Sequence, residues 1–349
     1  MPSTAPPTAV GPRHDPGVVA ALAVLVVVAG AALVVALLVV GGGSAPNTIA
    51  DPGPLTTTGL PLARYAQDLL GVAVVGAALV AVLAHPVGRV VGRCLRLLTT
   101  LAPAWAGVTV AVYVLTASDL SGRTVAQVLT PQVQRAFLSL PQARAHLVVL
   151  LGAVVVLAAA GLLRRRARDG HEPTPRTLAA VLALAAAALV PPAFAGHSAA
   201  SDAHELAVGS LAVHVVAASL WVGGLAVLAL LVLADRAVTV TDAARSAASF
   251  STLALWCVVV VGASGLLNAS LRVTAPADVL SAYGALLAVK AAGLAVLVGF
   301  GHRHRSHSIA RAVDGAGRRA FARLVAVELA VMVAVVAVAV ALARTPPPV

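Results

Sequence analysis

Charged side chains are scarce in this chain of 349 residues. Only 11% of the residues are charged, whereas 60% are hydrophobic and the mean hydropathy is +0.97. A soluble domain has about 25% charged residues. This deficit argues against a soluble domain and predicts an integral membrane protein whose helices are embedded in lipid.

Sulfur-containing side chains are rare as well. Cys94 and Cys257 are the only cysteines, so they cannot build a disulfide framework, and their spacing does not form a CxxC metal motif. Met1 and Met332 are the only methionines, which leaves no path lined by thioether sulfurs for a soft metal ion. A metal carried by this chain would therefore depend mainly on imidazole ligands, assisted by backbone or water oxygens.

Two further functional classes lack their sequence signals. There is no GxxxxGK[ST] sequence, which binds phosphates in P-loop ATPases, so we expect no ATP hydrolysis by this chain, and we expect no enzyme activity. A net charge of +11 would suit nucleic acid, but the arginines cluster in short segments between apolar runs. Membrane topology requires that arrangement, so we expect no nucleic-acid partner.

Nine apolar runs approach or exceed the roughly 20 residues that a helix needs to span a bilayer. They are 18–40, 65–84, 97–117, 144–163, 177–195, 206–233, 248–270, 281–301 and 320–343. The predicted fold class is all-α, a polytopic membrane bundle of about nine transmembrane helices. The first run is longer than the roughly 7 to 15 residues of a signal-peptide core, so it predicts a retained helix. Segment 119–143 is amphipathic at best, and fits either an interfacial helix or an extramembrane loop.

Arginine predicts the orientation of the bundle. The arginine-rich loops are 85–96, 164–176, 234–247 and 302–319. With nine helices they all fall on one side, which the positive-inside rule makes cytoplasmic. The N-terminus is then inside and the C-terminus outside. Loop 118–143 is the exception, because Arg123 and Arg135 fall on the outer side.

Histidines gather around the start of the sixth run. His197 and His204 lie in the preceding outer loop, whereas His214 lies roughly two turns inside the run. An imidazole facing lipid would be penalised, and imidazole suits copper, zinc and iron, so the three residues predict a metal site at the outer mouth. The alternative is that His214 only hydrogen-bonds a carbonyl or hydroxyl on a neighbouring helix. A shared site also requires loop 196–205 to fold back, because His204 and His214 are not on one helical face.

Small and aromatic residues follow on the same helix. Trp221 is seven residues after His214 and therefore shares its helical face. Gly223 and Gly224 come next, and small residues allow a neighbouring helix to approach closely. Asn268, near the outer end of the seventh run, either lines the same cavity as His214 or makes a hydrogen bond between helices.

Two opposite charges lie inside the last two runs. Measured from the predicted ends of their runs, Lys290 and Glu328 come within a few ångströms of the bilayer midplane at about 1.5 Å per residue. Each would be costly alone, so the sequence predicts a pair that acts as a proton or ion relay or fixes helix register. The motif GHRHRSHS follows Lys290 on the inner side and contains His302, His304 and His307. These three residues could hand a metal inward, or could be part of a basic solvated loop.

Four segments in order resemble the copper resistance D (CopD) family of inner-membrane proteins. They are LAVHVVAASLWVGGLAVL, FSTLALWCVVVVGASGLLNASLRV, YGALLAVKAAGLAVLVGFGHRHR and RLVAVELAVMVAVVAVAVALARTPPP, with GHSA upstream. The resemblance covers about residues 190–345. It divides the chain into an N-terminal transmembrane extension, 1–175, similar to that of actinobacterial members, and a CopD-like domain, 176–349.

The resemblance implies copper handling at the cell inner (cytoplasmic) membrane, as Cu(I) or Cu(II), by a multi-pass protein. It carries over His197, His214, Trp221, Gly223, Gly224, Asn268, Lys290 and Glu328. The expected function is copper uptake without ATP hydrolysis, in the lipid bilayer, with a periplasmic or extracellular copper-binding protein as a possible partner. The alternatives are a haem-binding or oxidase-assembly membrane protein, and a sensor or scaffold without transport. Haem would need two facing axial histidines, and only His214 is well placed.

Overall fold

The structure is a computed structural model, and its described part is entirely helical in its regular elements. It describes residues 51–195, 204–234, 240–273, 275–307 and 315–345, together with Val27, Gly30, Ala31, Leu33 and Val34. The α-helices in these ranges are α1 (Pro54–Ala84), α2 (Gly88–Ser121), α3 (Val125–Val128), α4 (Pro131–Leu138), α5 (Pro141–Arg168), α6 (Pro175–Ala187), α7 (His204–Ala234), α8 (Val240–Ser270), α9 (Ala282–His307) and α10 (Gly315–Arg344). Short 3-10 helices occupy Pro191–Ala195 and Pro276–Leu280. The chain is therefore a helix bundle, as the sequence predicts.

Eight helices of the described part are long and apolar enough to cross a membrane. They correspond to the second to ninth predicted runs, which confirms the polytopic bundle. The first predicted run, 18–40, falls mostly outside the described residues, although the five described residues within it are helical. The eight spans make this a multi-pass membrane protein.

The segment between the second and third spans forms two short helices, α3 and α4. Phe137 of α4 packs edge-on against Tyr113 of α2, with the ring centroids 4.9 Å apart. The Tyr113 hydroxyl donates a hydrogen bond to Gln134 Oε1 over 2.9 Å. Segment 119–143 is therefore partly helical, as two short helices that fold against the end of α2.

Several helices continue beyond the apolar runs that predict them. Helix α1 begins at Pro54, 11 residues before the predicted start of its run at 65. Helix α9 continues to His307 and α10 begins at Gly315, so the expected loop 302–319 is wrong over its first six and its last five residues. Arginine and histidine are compatible with helical backbone, and hydropathy therefore marks where lipid contact ends and not where the helix ends.

Helix α1 is the centre of the bundle, since it packs against α2, α6, α7, α8 and α10. Its closest approach is to α7, at Gly76 and Gly223. A methyl group built on Gly223 would lie 2.1 Å from the Val72 carbonyl oxygen and 3.0 Å from Gly76 Cα. The predicted close approach at this glycine is confirmed, because only hydrogen fits between these two backbones.

Gly224 accommodates other neighbours on the same helix. A methyl group built there would lie 2.4 Å from the Phe250 ring of α8 and 3.0 Å from Leu79 of α1. The two consecutive glycines therefore allow α7 to pack closely against α1 and α8.

The two ends of the bundle are named by their loops. We call the outer end the one that carries loops 122–140 and 271–281, and the inner end the opposite one.

Candidate functional site

His214 is held between α7 and α8. Its side chain is 9% exposed, and its Nδ1 atom lies 3.0 Å from Ser264 Oγ. The residue is ten positions after His204, about 15 Å along α7 at 1.5 Å per residue. Gly223 is nine positions further on, which places it on the opposite face of the helix at 100° per residue. Helix α7 therefore packs on α1 with one face and presents His214 to α8 with the other.

The hydrogen bonds of Ser264 determine which nitrogen of His214 carries the proton. The Ser264 hydroxyl donates to the Val260 carbonyl oxygen of its own helix, over 2.5 Å. Because a hydroxyl has one proton, Ser264 Oγ can only accept from His214, and Nδ1 must be the donor. In the neutral imidazole, Nε2 then has a lone pair that the Ser264 contact does not use. The Val261 backbone also lies within hydrogen-bonding range of the imidazole.

Ser210 and Asn268 complete a polar cluster around this pair. The Asn268 amide donates to Ser210 Oγ over 3.1 Å and to the Ser264 carbonyl oxygen over 2.8 Å. Ser210 also donates to the Ser264 carbonyl oxygen, over 3.2 Å. Asn268 thus has the interhelical role that the sequence offered as one of two alternatives, and it lies in the same cluster as His214. We call Ser210, His214, Ser264 and Asn268 the His214 cluster.

Trp221 and Lys290 are the nearest unusual side chains. Trp221 is 5% exposed and belongs to the main hydrophobic core, where it packs below the His214 cluster on the same face of α7. Lys290 of α9 is half-buried and lies within electrostatic range of His214. The cluster therefore combines an imidazole with a nearby basic side chain.

The ion pair predicted between Lys290 and Glu328 is wrong. A methyl group built on Gly293 of α9 would lie 2.6 Å from Val335 Cγ2 of α10, which fixes the antiparallel register of these helices. Lys290 is then level with residue 338, ten positions from Glu328, or about 15 Å along the helix. Among the described residues no salt bridge joins the two, and Glu328 is buried at 3% exposure near the middle of α10.

His204 and His214 do not form one compact group. His197 lies outside the described residues, and the His204 side chain is not described, but its backbone is the first residue of α7. His204 therefore lies almost three helical turns outward of His214 and on another face of α7. The separation of about 15 Å far exceeds the roughly 2 Å of a metal–nitrogen bond.

The inner histidines lie on the last turns of α9. His302, His304 and His307 are all helical, although their side chains are not described. His304 and His307 are three positions apart and share a face, whereas His302 is rotated away from both. Across the described residues as a whole, no group of three His, Cys, Asp or Glu side chains is arranged to hold a metal ion.

A second polar region lies between the outer halves of α1, α2, α5 and α10, and the sequence analysis missed it. Arg64 and Asp68 of α1, Asp119 of α2, His146 of α5 and Arg344 of α10 are linked there by electrostatic interactions with Arg64. The same outer halves of α1 and α2 carry two further polar residues, Tyr65 and Thr116. Arg344 Nη2 lies 3.4 Å from Asp119 Oδ1, and Arg64 lies within electrostatic range of Asp68, Asp119 and Arg344. We call these residues the outer polar column. The signal was present, because Asp68 is a carboxylate inside the second apolar run.

The geometry defines a class of protein: a polytopic helical membrane protein whose interior holds polar groups at two places. Residues 55–206 match the family described as copper resistance protein D-like, N-terminal domain, and residues 244–342 match copper resistance protein D. The chain therefore belongs to the copper resistance protein D family, whose members handle copper at a membrane. Neither the curated proteins nor the solved structures contain a match to this chain.

The two matched regions divide the candidate residues. Asn268, Lys290, Glu328 and the inner histidines fall in the C-terminal match, whereas the outer polar column falls in the N-terminal match except for Arg344, which lies two residues beyond the C-terminal one. Residues 207–243 lie between the matches and include His214 and Trp221. The importance of His214 therefore depends on its geometry and not on the matched regions.

Proposed function

We propose that this protein transports copper across the cytoplasmic membrane, most simply as uptake without ATP hydrolysis, and that it is not an enzyme. Family membership supports copper as the cargo. The observation that carries the transport proposal is the neutral His214 imidazole, whose Nδ1–H is held by Ser264 while Nε2 keeps its lone pair. A nitrogen prepared in this way inside a membrane is suited to bind a transition-metal ion.

The separation of the histidines supports sequential transfer and not one three-histidine site. Copper would first meet His197 and His204 near the outer end, and would then reach His214 about 15 Å further in. His302, His304 and His307 would receive it at the inner end, where His304 and His307 share a helical face. Such a series of weak sites allows an ion both to enter and to leave.

Lys290 determines where a cation can pass. Glu328 is too far along the helix to neutralise it, so the charge of Lys290 must be avoided or lost as copper moves. A protonated lysine within electrostatic range would repel a copper ion at His214. The route we propose therefore runs along the face of the His214 cluster that is turned away from Lys290, or requires Lys290 to release its proton.

The proposal also includes the location of the protein in the cell and its partners. The arginine-rich inner loops support the cytoplasmic membrane as the location, with the N-terminus inside. A copper-binding protein on the outer side is the expected partner besides the lipid bilayer. Nucleic acid is not expected as a partner.

Copper uptake by the His214→Ala variant tests the proposal. Cells that express equal amounts of wild-type protein, His214→Ala and His171→Ala are compared for metal content. His171 is exposed beyond the inner end of α5, so it is a matched control for loss of one imidazole. We expect uptake to fall to the level of cells without the protein for His214→Ala and to stay unchanged for His171→Ala. Equal uptake by wild type and His214→Ala would contradict the role of His214.

Transport must also be separated from binding alone. Purified protein in liposomes is tested with Cu(I) and Cu(II) separately, which identifies the oxidation state that is carried. Copper binding without flux would favour a sensor or scaffold. A Soret absorption band in the purified protein would favour the haem alternative, although within the described residues His146 and His214 lie in separate polar groups and cannot face one another across a haem.

A further inference from the structure

Asp68 has an unusual position within the bundle. It is 14 residues from the outer end of α1, or about 21 Å along the helix, and therefore lies close to the middle of the span. Helix α1 is the central helix, surrounded by five others, yet the Asp68 side chain is exposed. A carboxylate that faces lipid at this depth is costly, so the exposed side of Asp68 is expected to lie in a gap between helices.

The Asp68 carboxylate has no close protein partner. Arg64 is one turn away on α1 and acts on it electrostatically, but no salt bridge or hydrogen bond to Asp68 is present in the described part of the chain. By contrast, Asp119 near the outer end of α2 is paired with Arg344. The two carboxylates of the outer polar column therefore differ, because Asp119 is neutralised by a contact and Asp68 is not.

Polar atoms without partners continue from Asp68 toward the outer end. Tyr65 Oη, Thr116 Oγ1, His146 Nδ1 and Arg344 Nε are buried, and in the described part of the chain none of them makes a hydrogen bond. They come from four helices, α1, α2, α5 and α10, and the Tyr65 hydroxyl lies beside Gly30. Buried polar atoms in native proteins are normally satisfied, and when no protein group does so, ordered water is the usual partner.

The residues of the outer polar column lie at different depths between the outer end and the middle of the bundle. The Thr56–Ser118 hydrogen bond of 2.6 Å and the Gln67–Thr109 hydrogen bond of 3.0 Å fix the register of α1 against α2. Asp119 lies at the shallow end of this register, and Asp68 lies level with Thr109 at the deep end. The outer polar column thus leads from the outer surface to Asp68, which is the geometry of a hydrated path that ends on a carboxylate.

We propose that Asp68 is a proton-binding site, reached from the outer side through the outer polar column, and that its proton crosses the membrane together with copper. In this step the Asp68 carboxylate takes up one proton to become a carboxylic acid, and releases the same proton toward the inner side when the bundle changes conformation. The coupling to copper rests on the proposed function, but the proton site does not.

The composition of the column favours a proton over other ligands. Arg64, on the same helix, is the charged group that acts on Asp68. The other charged and titratable groups of the column are Tyr65 on α1 and three residues within electrostatic range of Arg64, namely Asp119 on α2, His146 on α5 and Arg344 on α10. The two arginines oppose a metal cation, and Asp68 itself opposes an anion. A proton needs no coordination shell, and carboxylates with histidines inside a membrane commonly form proton relays.

Infrared difference spectroscopy tests the proton site without any copper. Purified protein is titrated from acid to alkaline pH, and the carbonyl-stretch band of protonated carboxyl groups is followed. We expect a titrating band in wild type that is lost in Asp68→Asn and is kept in Glu205→Gln, an exposed carboxylate at the outer end of α7. An unchanged band in Asp68→Asn would overturn the proposal. Asp68→Glu should restore a titrating band, which distinguishes loss of the proton site from misfolding.

Copper uptake into liposomes tests the coupling. We expect an imposed gradient, acid on the outer side, to raise uptake by wild type and by Glu205→Gln. In Asp68→Asn the ratio of uptake with and without the gradient should fall to unity, and stimulation that persists in this variant would overturn the proposal. One outcome separates the two proposals. If wild-type protein transports no copper, while its carboxyl band is absent from the Asp68→Asn variant, the proposed function fails and the proton site stands.

Discussion

Gly223 of α7 and Gly76 of α1 meet backbone to backbone, with space for hydrogen alone between them. This contact joins a helix of the N-terminal matched region to the helix that carries His214. The position of the His214 cluster relative to the central helix therefore depends on two residues that have no side chain.

Gly223→Ala should weaken the fold. The added methyl group would lie 2.1 Å from the Val72 carbonyl oxygen, so α1 and α7 must separate, at a cost of about 1–3 kcal/mol. Gly209→Ala on the same helix is the matched control, because a methyl group there meets nothing within 4 Å. Thermal unfolding in detergent measures both variants, and equal stability of the two would show that the close contact is not required.

Ser264→Ala should reduce copper affinity while leaving His214 in place. The variant removes the oxygen that accepts the Nδ1 proton, so the imidazole no longer has a fixed tautomer or orientation. Loss of such a supporting contact commonly lowers metal affinity by about 10-fold to 100-fold. Copper titration of the purified protein measures the effect.

Ser270→Ala is the control for that measurement. Ser270 lies on the same helix, and its exposed hydroxyl only donates to the Leu267 carbonyl oxygen. We expect this variant to bind copper as wild type does. If Ser264→Ala also binds copper like wild type, the Ser264 hydroxyl does not prepare His214 for metal.

Thiol labelling should reveal the predicted orientation. In a background with Cys94→Ala and Cys257→Ala, Leu280→Cys and Glu172→Cys are compared with a reagent that cannot cross membranes. Leu280 is 90% exposed at the outer end and Glu172 is exposed at the inner end. In intact cells only Leu280→Cys should be labelled, because the arginine-rich loops are predicted to be cytoplasmic. Labelling of Glu172→Cys alone would mean that the bundle is inverted.

The sequence predicts the membrane spans of this fold better than it predicts where each helix ends. Hydropathy predicts the eight described spans, because each needs a continuous apolar surface. It does not predict that α9 continues to His307, since polar residues outside lipid are as compatible with helix as apolar ones. The inner histidines therefore lie on a helix and not in a loop, and only two of the three share a face.

The sequence could not show that Lys290 and Glu328 lie apart, for a related reason. Counting from apolar run ends gives depth only within several residues, and each residue of error shifts a side chain by about 1.5 Å. The contact of Gly293 with Val335 sets the register, and this contact depends on which small residue meets which side chain. Asp68, by contrast, could have been found, since any carboxylate in an apolar run is a candidate functional residue.

The sequence by itself determined that this chain crosses a membrane many times, and at what approximate depth each ionisable group lies, because both follow from the order of apolar and polar residues along one dimension. Only the tertiary structure decided that His214 donates its Nδ1 proton to Ser264, that Lys290 and Glu328 are apart, and that Asp68 ends a polar column formed by four helices. Those outcomes depend on helix register and rotation, which arise from packing between residues far apart in the chain.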